Sequence, residues 1–252
     1  MTSLNNIFQR PTKVKGVGYV YPVTMKRYDK FINCANIITV SYEHFNTKVV
    51  AEALGVEEES IKLLDLLFIA AAQSNTFNET VRQLEILFSL VFRRPIKCVD
   101  FDDGFIFYNQ RKKIVIDKHN YDEIRSVIMM QNVLFEPKVF KNQIVAEWAE
   151  AVLKERAKNA VEVSMEDKLT TIAHLSGKHY HELMNYTIYQ IEAEFARIEK
   201  DKLYHTNVAF KCAGANEVSI NHYAEKTNIY RNPYDELFKD KSKLNTLNNV
   251  IK

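Results

Sequence analysis

Apolar residues recur at intervals of three and four along most of the chain, the period of helices with one buried face. Tyr28, Phe31, Ile32 and Ala35 form the first such stripe, behind Thr24 as N-cap. Tyr42 to Leu54 reads as a second helix, stopped by Gly55, since glycine enters the left-handed position beyond a helix without steric cost. Glu58 to Gln73 reads as a third, with Ile61, Leu64, Leu67, Phe68, Ala71 and Ala72 on a wide apolar face. A fourth is expected from its cap at Asn78 through Val81, Leu84, Ile86, Leu87, Leu90 and Val91 towards Arg94, where Pro95 blocks continuation.

Between Pro95 and Lys118 the period falls to two. Lys97 to Phe101 and Phe105 to Tyr108 flank Asp102-Asp103-Gly104, a strong hairpin signal, and Lys113 to Ile116 supplies a third strand after a turn at Asn109 to Lys112. Asn120, with Glu123 three residues on, then opens a helix through Ile124, Val127, Ile128 and Gln131.

The pattern breaks at 133–143 around Pro137, which marks a domain boundary, and a helix follows from Gln143 to Asn159. Ser164 with Asp167 resembles a capping box, and Gly177 ends the helix that it starts; a short helix over Tyr180 to Met184 follows. Thr187 and Gln190 form a second box, ahead of a long helix with Ile188, Ile191, Phe195 and Ile198 on one face, which reaches Ala213 before Gly214.

The chain is therefore expected to be mainly α, of the α+β type. A helical bundle over 24–135 carries a small antiparallel β-hairpin meander at 96–117, and a smaller helical C-terminal unit covers 143–227. Residues 1–23, with Arg10, Lys13 and Lys15, are expected as a basic extended arm or edge strand, and 228–252 as a polar tail. Composition agrees. Six Gly and five Pro in 252 residues are too few for an all-β sandwich, a propeller or a glycine-rich nucleotide fold.

Lys+Arg 34 against Asp+Glu 32 leaves a net charge of +2, which argues against broad attraction to nucleic acid or to a membrane surface. The most apolar stretch, Ile61 to Ala72, is interrupted by Lys62 and Asp65 and is too short to span a bilayer. The opening residues show no basic-then-apolar leader, so no secretory signal is expected. Cys34, Cys98 and Cys212 lie singly, with neither zinc-ligand nor disulfide spacing, as in a protein of a reducing cytoplasm.

Several patterns invite a chemical reading and fail its spacing test. His174, His179 and His181 are close in sequence, but Gly177 separates the first, and the other two point to different faces, so no tetrahedral site is expected. Asp100, Asp102 and Asp103 resemble part of a calcium loop, yet Gly104 comes too early and Arg111 stands where the bidentate acid is needed. Gly16-Val17-Gly18 lacks the rest of a phosphate-binding fingerprint. Glu57, Glu58 and Glu59 suit a helix N-terminus electrostatically. Two segments resemble helix-turn-helix DNA readers, Val50 to Val56 followed by Ile61, and Ile172 to Gly177 followed by Leu183 and Tyr186. The three glutamates at the start of the first recognition helix would repel a duplex. No catalytic signature is present, so neither an enzyme nor a cofactor is expected.

Two stretches resemble bacteriophage tail-morphogenesis proteins from phages of Gram-positive hosts. Gly18-Tyr19-Val20-Tyr21-Pro22-Val23-Thr24, leading into Lys26-Arg27-Tyr28-Asp29-Lys30-Phe31, is similar to their "GxxYPLT" strand and "KEYxxF" helix. Met184 to Ile198 is similar to a "MTxYQLxxEFxRL" segment, with Cys212-Ala213-Gly214-Ala215 matching its small-residue end. The resemblance implies a non-enzymatic tail assembly factor of the host cytoplasm, either a chaperone for the tape-measure protein or a baseplate-hub assembly factor. Two alternatives stay open: a structural component of the virion's hub or baseplate, and a helix-turn-helix DNA-binding regulator. It implies partners among the tape-measure and other tail proteins; a homo-oligomer is a further option. Phe31, Phe45, Phe68, Phe77, Phe88 and Phe92 concentrate on the helices of 24–92 and are the candidate partner-binding groove, unless they simply fill the domain core.

Overall fold

The computed structural model describes residues 3–101, 104–140, 142–158 and 163–230. A short helix α1 (Ser3–Ile7) leads into a hairpin of β1 (Thr12–Val14) and β2 (Gly18–Val20), paired antiparallel with Thr12 opposite Val20. Gly16 turns this hairpin at φ +78°, in the left-handed region. Lys13 and Lys15 point to solvent, whereas Val14, Val17, Val20 and Val23 are buried in the main core. The stretch expected as a basic extended arm or edge strand thus forms a packed hairpin, because burying its valines outweighs leaving the strand free.

Helix α2 (Tyr28–Thr39) begins after a 3-10 turn at Met25–Arg27, and the Thr24 side chain caps neither. The helix expected over 42–54 divides into a 3-10 turn, Tyr42–His44, and α3 (Thr47–Leu54), because Phe45 takes an extended conformation and packs towards the core. Gly55 ends α3 at φ +67°. The helix expected over 58–73 divides in the same way. Ile61 and Lys62 are extended between a 3-10 turn at Glu58–Ser60 and α4 (Leu63–Gln73), whose first N–H is satisfied by the Tyr42 hydroxyl at 3.0 Å. Helix α5 (Phe77–Phe92) starts one residue before its expected cap and ends at Arg93, which sits at φ +53°.

The meander forms where the period of two places it: β3 (Lys97–Phe101), β4 (Gly104–Asn109) and β5 (Ile114–Ile116), antiparallel in the order β3-β4-β5. Phe107 pairs with Cys98 on one side and Ile116 on the other. Helix α6 (Tyr121–Gln131) follows. Phe107 and Phe105 enter an aromatic cluster in which Phe88 lies 5.0 Å from Phe107 and Phe68 lies 4.9 Å from Phe105. Tyr121 is fully buried against Phe88, and its hydroxyl has no hydrogen-bond partner among the described residues.

Helix α7 (Gln143–Lys158) is followed by α8 (Met165–Ser176), α9 (Tyr180–Leu183) and α10 (Ile188–Cys212). Both capping boxes form: Ser164 accepts from the Asp167 N–H, and Thr187 from the Gln190 N–H. Asp167 accepts the Ser164 N–H and hydroxyl in return, which lowers its carboxyl below the usual range. Ile172, Leu183 and Ile191 make a small second core, while Ile188 reaches the main one. Beyond Gly214 the chain returns along α10. Arg197 and Lys200 donate to backbone carbonyls of 223–226. The start of the expected 228–252 tail is anchored, since Tyr230 packs on Tyr189, donates to the Met130 carbonyl at 2.7 Å and accepts from Asn6. The rest of that tail, from 231, lies outside the described residues. The architecture is mainly helical, with two small antiparallel sheets among the described residues.

Three substitutions probe this packing by urea denaturation. Phe88→Ala should destabilise by about 3–5 kcal/mol, through lost burial and the cavity left behind. Thr187→Ala should cost about 1 kcal/mol, through loss of the α10 cap. Tyr121→Phe should raise stability by about 1 kcal/mol, because it removes a buried hydroxyl that has no partner.

Candidate partner-binding groove

Two segments far apart in sequence meet along one seam. Thr24 bridges Thr187 antiparallel, and around this bridge four hydrogen bonds satisfy backbone N–H groups. The Met25 N–H donates to the Tyr186 carbonyl at 2.8 Å, and the Lys26 N–H to the Met184 carbonyl at 2.9 Å. The Ile188 N–H donates to the Val23 carbonyl at 3.3 Å, while the Val23 N–H is taken by Asn132 Oδ1 at 3.0 Å. Gln9 adds a third element to the seam. Its Nε2 donates to the Asn185 carbonyl at 3.0 Å and to Gln190 Oε1 at 2.8 Å, and Gln190 Nε2 donates to the Ile7 carbonyl. Thr187, at the centre, is fully buried.

The seam brings the start of α2 beside α8 and α9 and leaves an apolar groove of about 390 Å³ between them. Met25 and Tyr28 line one wall; Met165, Leu169, Tyr180 and Met184 line the other. Tyr180 is 61% exposed and Met184 43%, so the thioether and the ring are open to a partner. Asp29 and Glu166 also border the groove. Beneath it, Lys168 makes a bidentate pair with Glu192 at 2.7 and 2.8 Å, which fixes α8 against α10. Burial, then Glu192 and Asp29, push the Tyr28 hydroxyl up, so it stays a neutral donor. Thioethers adapt their shape at little conformational cost, so such a wall suits the apolar stripe of a helix. The two acids favour basic residues beside that stripe.

The six phenylalanines expected to form the groove lie elsewhere. Phe31, Phe68, Phe88 and Phe92 are buried, and Phe45 and Phe77 are half-buried against the same core. The four buried rings cannot meet a partner without unfolding the domain, because of the large apolar area each hides from water. Nothing local in the sequence marked the replacement set, because its three methionines come from distant positions. The one available signal was the resemblance, whose two segments contribute Met25, Tyr28 and Met184.

The remaining candidates are also placed. His174 lies in the last turn of α8, and His179 precedes α9, where its N–H is accepted by Glu182. Among the described residues no three His, Cys, Asp or Glu side chains come together to hold a metal. In the first helix-turn-helix resemblance, α4 is buried on most sides through Leu63, Leu64, Leu66, Leu67 and Phe68, so it cannot enter a DNA groove. In the second, α9 has four residues and presents no recognition surface of useful length. Burial pushes the Cys34 and Cys98 thiols up to about 11, so both behave as small apolar groups. No helix among the described residues is long and apolar enough to cross a membrane.

The groove and seam fall partly in a region that known proteins share. Residues 155–228 match the family described as "YomV second domain". The SPbeta prophage-derived uncharacterized protein YomV of Bacillus subtilis (strain 168) is 23% identical over 126 residues, covering 50% of this chain and 52% of that protein. The chain thus spans about half the length of the curated relative it matches. No solved structure matches. The chain is, on these two likenesses, a phage-related protein.

Proposed function

We propose that the protein is a non-enzymatic phage tail assembly factor that acts in the host cytoplasm and holds an apolar helix of the tape-measure protein in the groove between α2 and α8–α9. One observation carries this reading. The two segments that resemble tail-morphogenesis proteins, 18–31 and 184–198, are hydrogen-bonded to each other and together supply part of the groove. A resemblance confined to two distant stretches gains physical sense when those stretches build one surface. Likeness to a prophage-derived protein supports the setting. The groove is lined mainly by thioethers, rings and leucines, groups that make recognition contacts, with Asp29 and Glu166 at its border.

Co-expression with the tape-measure protein of the same phage tests this. Soluble recovery of the partner should rise, and a complex should survive gel filtration. Tyr180→Asp with Met184→Asp should abolish both effects, while shifting thermal stability by no more than about 0.5 kcal/mol per site, since both side chains are substantially exposed. If the partner is equally soluble alone and no complex forms, the reading fails. Mass spectrometry of purified particles then separates an assembly chaperone, which is absent from them, from a hub or baseplate component, which is present.

A further inference from the structure

A second surface, sharing no lining residue with the groove, runs across the end of α5. Three clefts adjoin there. The first, about 400 Å³, lies between the β1–β2 hairpin and the end of α5, against Tyr19, Tyr21, Arg93 and Arg94. The second, about 300 Å³, shares Arg93 with it and continues past Lys26 and Arg27. The third, about 740 Å³, shares Arg94 and continues past Lys97, Tyr108 and Arg111. Six cationic side chains line this path, and among the described residues no carboxylate lines any part of it. Lys97 is committed to Glu85 at 2.8 Å. The other five have no carboxylate partner among the described residues, in a chain whose net charge is only +2. Balanced overall charge therefore conceals a local concentration of one sign, and a narrow depression focuses its field.

Aromatic rings are interleaved with these cations. Tyr19 is 51% exposed, and the Arg93 guanidinium lies 4.4 Å from the centre of the Tyr21 ring, a flat platform of ring and guanidinium. Arg93 occupies this place at a backbone cost, since φ +53° is a conformation that residues other than glycine rarely adopt. An acidic peptide would engage the cations and leave the rings without a role. A duplex would keep its base faces stacked inside. Unpaired bases offer both the phosphates and the free faces that this arrangement can use.

We propose that the path from Arg27 through Arg93 and Arg94 to Arg111 is a binding site for single-stranded nucleic acid, with phosphates on the arginines and bases against Tyr19, Tyr21 and Tyr108. The test is fluorescence anisotropy of the full chain with a labelled oligothymidylate of about twenty nucleotides. With about four phosphates neutralised, the affinity should fall about 50-fold between about 50 and about 200 mM salt. The combined variant Arg93→Gly, Arg94→Gln, Arg111→Gln should weaken binding at the lower salt by at least about tenfold and flatten the salt dependence to a slope of about −0.7. Glycine suits the left-handed backbone at 93, so this variant should keep the wild-type circular dichroism and melting curve. Tyr19→Ser should weaken binding while leaving the salt slope unchanged. No binding at the lower salt, an unaltered slope in the triple variant, or equal competition by a polyglutamate peptide of matched charge would each overturn the proposal.

Discussion

The hydrogen-bonded seam between Val23–Lys26 and Met184–Ile188 is the interaction on which the rest of the surface depends. Isolated backbone groups gain little from leaving water, but here they are exchanged in register around a fully buried threonine. The same threonine caps α10, so the start of a 25-residue helix and the closure of the seam are one event. Gln190 completes the capping box and also binds Gln9 and Ile7, which ties the end of α1 to the same point. Loss of this contact would separate the walls of the apolar groove, because one wall comes from α2 and the other from α8 and α9.

Burial divides the aromatic residues into two populations with different roles. Phenylalanines of α4 and α5 interlock with Phe105 and Phe107 of the meander, and the small sheet depends on this cover for its stability. Tyrosines hold a polar tip and therefore serve at boundaries. Tyr42 satisfies the start of α4 while donating to Asp122, and Tyr230 joins the returning C-terminal stretch to Asn6 and Met130. Tyr19, Tyr28 and Tyr180 are left at open surfaces, where ring area and hydroxyl are both available for recognition.

The two candidate surfaces differ in the physics that would hold an occupant. The groove is apolar, with acids beside it, so its affinity would come from area removed from water and vary weakly with salt. The arginine path is open and cationic, so its affinity would come from counterion release and fall steeply with salt. Salt dependence alone thus distinguishes occupation of one from occupation of the other.

From residue 24 onward, periodicity determined most of the helices and the strands of the meander, because the spacing of buried positions is a local property. The three strands of the meander and the two capping boxes at Ser164 and Thr187 are where local pattern places them. Interruptions at Phe45 and at Ile61–Lys62 were not legible, since an extended residue inside a helical repeat is imposed by a core on which distant elements converge. The six phenylalanines were identified as a concentration in sequence, but which face of each helix is covered depends on partners supplied by 98–128. Net charge hid the arginine path for a related reason: it sums over the surface, whereas Arg27 and Arg111 come to flank the Arg93-Arg94 pair only once α5 ends against the hairpin. Local sequence decides which elements form and which faces must be buried; only tertiary packing decides which distant residues share the surface that is left.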